Sequence, residues 1–179
     1  LDSGGGGGAV LGLGGGRAGG FLAARGHPVT ALDKDTAAIV SGASPGIEIV
    51  AADLENGAPL FEPPGPLAGR RFAGIVVVNY LHRPLFPALL AALDAGGALI
   101  YETFARGNER FTRPRNPDHL LKNGELLDVV RGRLHVVAYE HGIVEGDDIP
   151  GVKQRLAAVN ASGRSTREDG EPEPYPLKG

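Results

Sequence analysis

Residues 72–111 read FAGIVVVNYLHRPLFPALLAALDAGGALIYETFARGNERF, and the order of runs inside this stretch decides the fold. Phe72 to Asn79 (FAGIVVVN) is the most hydrophobic run in the chain. Its unbroken apolarity fits a strand buried on both faces, at the centre of a parallel sheet. Leu85 to Leu93 (LFPALLAAL) reads as a helix, with Pro87 tolerated in its first turn. After the turn Ala95-Gly96-Gly97, Ala98 to Thr103 (ALIYET) is the next strand. A strand, a helix and a strand in this order make one crossover unit of a parallel sheet.

The alternation continues on both sides of that unit. Upstream, Ala9 to Leu13 is a short apolar run closed by Gly14, Gly15 and Gly16, and reads as a buried strand. A short helix follows from Arg17 to Arg25, with Gly26 as its stop. Pro28 to Asp33 and Ile47 to Ala52 are two further strands, separated by a helix over Thr36 to Ser41 capped by Asp35. Residues 55–71, rich in proline and glycine, are a surface connection. Downstream, residues 104–117 form a polar loop holding Arg106, Arg110, Arg113 and Arg115, which is either an anion-binding lid or a solvated loop. Asp118 to Val130 is a helix with Leu120, Leu121, Leu126, Leu127 and Val130 as its stripe. Leu134 to Glu140 and Val152 to Asn160 are closing strands, the second alternating as an antiparallel strand does. The expected fold is α/β, a Rossmann-like three-layer sandwich. Its seven-stranded, mainly parallel sheet runs 3-2-1-4-5-7-6 with strand 7 antiparallel. The domain spans residues 9–161, between a glycine-rich start (1–8) and a polar tail (162–179), both expected to be disordered.

Composition narrows the function. The chain has 179 residues, a net charge of −3, 29 glycines and no cysteine. A broad basic surface for nucleic acid is not expected, and thiolate metal sites, disulfides and cysteine nucleophiles are excluded. The histidines show no metal-ligand spacing. No apolar run approaches a membrane span and no signal-peptide pattern is present, so the expected compartment is the cytoplasm.

In open parallel sheets ligands sit at the carboxyl ends of the strands, so the residues just past each strand carry the functional reading. Gly14, Gly16 and Gly19 satisfy G-x-G-x-x-G between a strand and a helix, where missing side chains and free helix N–H groups admit a ligand to the backbone. Asp33 ends strand two, where a carboxylate accepts hydrogen bonds from ribose hydroxyls. Dinucleotide-binding proteins and class I methyltransferases share this much. An NAD- or FAD-binding oxidoreductase fragment is therefore one reading. Asp53 and the two closing strands favour the other. Class I methyltransferases place an acid at the position of Asp53, against the adenine amino group, and end on such a hairpin.

The motifs Asn79-Tyr80-Leu81-His82-Arg83-Pro84 and Tyr101-Glu102-Thr103-Phe104, with the loop through Asn108, resemble bacterial S-adenosylmethionine-dependent methyltransferases of the tellurite-resistance-like group. The resemblance covers residues 9–160. It implies methyl transfer to a small-molecule nucleophile, with S-adenosylmethionine as cofactor. It implies cofactor contacts at Gly14, Gly16, Asp33, Lys34, Asp53, Leu54 and Asn79. Tyr80, His82, Arg83, Glu102, Arg106 and Asn108 are the substrate-side candidates. Tyr80 and His82 are the catalytic ones, His82 because its unperturbed pKa is about 6.5. Three positions depart from the family: Gly12 stands where an acid faces the cofactor's methionine end, Ala18 replaces a third loop glycine, and Ala73 replaces an aspartate. Weak cofactor affinity, or a non-catalytic member, is the corresponding expectation. Oxyanion, thiol, halide and small organic acid all stay open as acceptors. A homodimer is possible. With strand one starting near residue 10, residues 104–117 are the expected cover over the substrate.

Overall fold

The computed structural model describes residues 10–13, 17–36, 46–145, 150–161, 167–171 and 174. Seven strands form one sheet: β1 Val10–Leu13, β2 Val29–Asp33, β3 Ile47–Ala51, β4 Phe72–Val78, β5 Leu93–Phe104, β6 His135–Val144 and β7 Gly151–Val159. Their order is β3-β2-β1-β4-β5-β7-β6, as expected. The β3-β2-β1-β4-β5 part is parallel, and β7 runs antiparallel to both β5 and β6. A hydrophobic β4 at the centre and an alternating β7 near the edge are what produced this order in the sequence reading.

Strand alternation sorts the core. Leu11, Leu13, Ile75, Val77, Leu99, Tyr101 and Leu156 lie in register on one face and are nearly or fully buried. Helices α2 (Phe86–Ala91) and α3 (Glu125–Val130) contribute Phe86, Leu89, Leu126 and Val130 to the same core. On the opposite face α1 (Arg17–Ala23) covers β2, with Gly19 close enough that an added Cβ would meet Val29 at 3.5 Å. On that face Ile100 of β5 stays 48% exposed.

Three expectations are corrected. The helix expected over 118–130 is only Glu125–Val130, preceded by a 3-10 turn at Pro117–His119. Gly124 takes a left-handed conformation (φ 70°), which starts the helix there, and Leu121 instead bridges Ala105 as a strand does. Leu120 and Leu121 are buried all the same. The connection 55–71 is more than surface, because Leu60 and Leu67 enter the core. Strand β5 begins at Leu93 rather than Ala98, and the preceding helix ends at Ala91. The expected helix 36–41 falls almost entirely outside the described residues. So do residues 1–8 and most of 162–179, while 167–171 form a turn closed by Gly170 N–H to Arg167 O.

Candidate functional site

The carboxyl ends of β1, β2, β3 and β4 surround a cavity of about 270 Å³. Leu13 and Leu32 give it an apolar floor, and Asp33, Lys34, Asp53, Leu54, Glu55 and Tyr80 line it. Four expected cofactor residues are thereby brought together. Asp33 and Asp53 are fixed by the same local device. One carboxylate oxygen of each accepts the backbone N–H two residues on, Asp35 and Glu55 respectively, both at 3.0 Å. Such turns hold a carboxylate at a strand end. Gly14 and Gly16 lie outside the described residues.

Tyr80, expected on the substrate side, lines this cavity as well. Its carbonyl accepts a hydrogen bond from the buried Tyr101 hydroxyl at 2.9 Å, which pins the turn after β4. Its own hydroxyl is buried, and the Glu55 carboxylate is the side chain beside it, close but short of good hydrogen-bond geometry. Burial first, and then the carboxylates of Glu55, Asp53 and Asp33, push its pKa up to about 12. The phenol therefore keeps its proton at physiological pH. Three carboxylates on apolar walls, with an aromatic ring beside them, fit a ligand with a flat apolar ring and several hydroxyl and amino donors. Adenosine has that chemistry, so the residues present fit the adenosyl part of S-adenosylmethionine. Glu55 escaped the sequence reading; its place two residues after Asp53 was the available signal.

His82 lies elsewhere. It lines a separate cavity of about 540 Å³ between residues 54–71 and α2, which Leu54 also borders. Arg83 is a structural clamp. Its Nε and one Nη bind both Glu125 carboxylate oxygens at 2.6 and 3.0 Å, and its Nη groups donate to Asp118 O and Leu120 O at 2.6 and 3.0 Å. Four of its five N–H groups are thus committed within the protein, which corrects its substrate role. Burial works against the Glu125 charge, but Arg83 and the Lys122 N–H outweigh it and hold the pKa below its ordinary value. A depressed folded-state pKa contributes stability above the ordinary pKa of 4.5 and loses it as pH falls through the folded value. Arg83→Ala should cost about 1–2 kcal/mol at neutral pH, discounted for partial solvent exposure, and less in acid. Urea denaturation at about pH 7 and pH 3 checks both; an equal deficit at both pH values contradicts the Glu125 linkage.

Asn108 is likewise structural. It is fully buried, donates to Thr112 O and Pro114 O at 3.2 and 3.0 Å, and accepts from Val152 N–H at 3.1 Å. It pins the arginine-bearing loop to β7, so that loop is anchored at its base. Arg106 is exposed and ties in by its backbone, donating to Leu121 O at 3.0 Å. Glu102, at the end of β5, pairs with Lys153 and Arg155 at 2.5 and 2.7 Å. Burial opposes its charge, and these two cations overcome that and keep it ionised below the ordinary carboxylate range. Asn79 follows β4 in a left-handed conformation (φ 53°), with its N–H on Glu102 O at 2.8 Å. Among the described residues there is no cluster of three or more potential metal ligands, and no helix is long and apolar enough to cross a membrane.

The sheet order with an antiparallel β7 is the arrangement of S-adenosylmethionine-dependent methyltransferases, and solved structures share it. TehB from Haemophilus influenzae superposes with a TM-score of 0.67 at 15% identity, covering 86% of this chain; the chain spans only 57% of TehB. The N-methyltransferase NodS from Bradyrhizobium japonicum WM9, solved with S-adenosyl-L-homocysteine, gives 0.60 at 18% identity over 85% of this chain and 77% of its own. The glycopeptide N-methyltransferase MtfA, solved with sinefungin, gives 0.55 at 17% identity over 85% and 80%. No protein-family model matches the chain, and no curated protein matches its sequence.

Proposed function

We propose that the protein is an S-adenosylmethionine-dependent methyltransferase acting on a small-molecule nucleophile. The observation that carries this reading is the pair of identically fixed carboxylates, Asp33 and Asp53, in one cavity that Tyr80 also lines. The fold shared with NodS and MtfA supports it, since those proteins were solved with S-adenosyl-L-homocysteine and sinefungin. The antiparallel β7 argues against the oxidoreductase alternative, whose sheet continues with a sixth parallel strand.

When bound, the cofactor supplies an activated methyl group, released as the electron pair of the breaking bond stays on sulfur. The protein's part is alignment and exclusion of water. Asp33 receives the ribose hydroxyls, Asp53 the adenine amino group, and Leu13, Leu32 and Leu54 flank the ring. Lys34 borders the same cavity. Tyr80, which stays protonated, offers a donor. Asn79 stands at the end of β4 on the cofactor side, and Glu102 at the end of β5 toward the acceptor.

Position 12 tests how the methionine end is held. A Cβ at Gly12 meets nothing within 4 Å among the described residues, so the first atom of an aspartate side chain has room there. Gly12→Asp should tighten S-adenosylmethionine by about tenfold through a charge-assisted hydrogen bond to the cofactor's ammonium. Methylthioadenosine, which lacks the amino-acid end, should be unaffected. Equal gains for both in calorimetry would mean the aspartate only stiffens the loop. The reading as a whole is tested with methyl-labelled S-adenosylmethionine and a set of thiol, halide, oxyanion and carboxylate acceptors. Label transfer that Asp33→Ala abolishes supports it; label transfer that Asp33→Ala and Asp53→Ala leave untouched overturns it.

A further inference from the structure

The cavity of about 540 Å³ beside α2 has twice the volume of the adenosyl cavity, about 270 Å³, and methyl transfer as described does not use it. The two cavities share only Leu54 among their lining residues, so the larger is a second site and not an extension of the first. Its interior is apolar: Leu60, Leu85 and Ala92 are buried, and Phe61 and Ala88 line it from the 54–71 segment and from α2. The outer wall is held without a helix. Leu60 O accepts from Leu67 N–H and Phe61 O from Gly69 N–H, both at 3.0 Å. Gly65 packs against the Pro59 carbonyl with no room for a side chain. A wall tied in this way is pre-formed, and pre-formed apolar cavities of about 300–1,000 Å³ are where proteins hold small molecules.

The cavity is elongated. Pro84 and Ala91 both line it, so it follows α2 for about 11 Å, the length of a medium alkyl chain. It runs from His82, past the carboxyl end of β4, to Arg71, before its amino end. Arg71 closes the far end, donating from Nε to Asp94 and from Nη1 to Ala91 O, both at 3.1 Å. Arg70 is engaged by Glu48 and Thr30, both at 2.8 Å. His82 is left. Its side chain makes no bond to the turn it precedes, and no other described residue takes it. Two arginines and a histidine, against the exposed Glu62, make the lining cationic. We propose that this cavity is a second ligand site that takes an elongated apolar carboxylate, its chain along α2 and its head on His82. An imidazole N–H donates to a carboxylate in either protonation state. The site goes beyond the methyl-transfer reading and does not depend on it.

Decanoate, kept below its micelle concentration, is the probe, and butyrate is the short-chain control. Calorimetry on the full chain should find one saturable decanoate site, with butyrate at least about a hundredfold weaker. Ala88→Phe sets a ring into the cavity and should weaken decanoate about tenfold or more. S-adenosylhomocysteine affinity should stay within about threefold in that variant. His82→Leu keeps an apolar wall, removes the donor, and should weaken decanoate about tenfold. It carries the test by itself where Ala88→Phe does not fold. Saturating S-adenosylhomocysteine should leave decanoate affinity within about threefold. The proposal is overturned by absence of saturable decanoate binding, or by an affinity that either substitution leaves unchanged in a folded chain. Displacement of decanoate by S-adenosylhomocysteine overturns it too, because that places the chain in the adenosyl cavity. Decanoate binding that meets these expectations in a chain that binds no S-adenosylhomocysteine supports the second site and overturns the methyl-transfer reading.

Discussion

Replacing Asn108 by alanine should lower folding stability by about 3 kcal/mol, because each buried polar group left without a partner costs about 1–3 kcal/mol. The side chain is fully buried and serves Thr112 O, Pro114 O and Val152 N–H at once. Gly151 makes room for it: a Cβ there would stand 2.9 Å from Asn108 Oδ1. For a domain of this size the loss corresponds to a fall in Tm of roughly 6–12 °C. Scanning calorimetry reads it directly. Asn108→Asp keeps the oxygen that accepts from Val152 but sets a buried carboxylate oxygen against Thr112 O and Pro114 O, and should cost at least as much as alanine. A residue that served only a bound acceptor would leave Tm unchanged, so an unaltered Tm contradicts the structural role.

Asp33→Ala should weaken S-adenosylhomocysteine roughly ten- to hundredfold, because hydrogen bonds between a carboxylate and two ribose hydroxyls are worth about 1.5–3 kcal/mol. The single turn bond to Asp35 N–H that is also lost lies in an exposed segment and adds about 0.5–1 kcal/mol of instability at most. Affinity and stability therefore separate in this variant, as they do in the opposite sense for Asn108. Methylthioadenosine keeps the ribose and should lose affinity by the same factor. Calorimetric titration of both ligands checks the claim. A dissociation constant unchanged for either removes Asp33 from the site.

The architecture was legible because it is written in runs. FAGIVVVN has no polar break and goes to the centre, while the alternation Val152, Gln154, Leu156, Ala158 goes to an antiparallel strand. The acids at strand ends were legible for the same reason, since a strand's end fixes where its next residue lies. Roles that depend on distant partners were not. Arg83 looked like a substrate ligand because Glu125, 42 residues away, gives no local sign of meeting it. Asn108 meets Val152 across 44 residues, and Lys153 meets Asn79 across 74. The break at Asn123-Gly124 was readable, since that pair marks a turn more often than a helix interior. Leucines at 120, 121, 126 and 127 imitated one helical stripe, yet the first two are buried from an extended segment.

The central claim is that the cavity between Asp33, Asp53 and Tyr80 holds the adenosyl group of a methyl donor. Titrating S-adenosylhomocysteine, NAD and FAD separately into the full chain tests it most directly. The account predicts binding of S-adenosylhomocysteine alone, weakened by Asp33→Ala and by Asp53→Ala. Binding of NAD or FAD in its place, or S-adenosylhomocysteine binding that neither substitution alters, would contradict it.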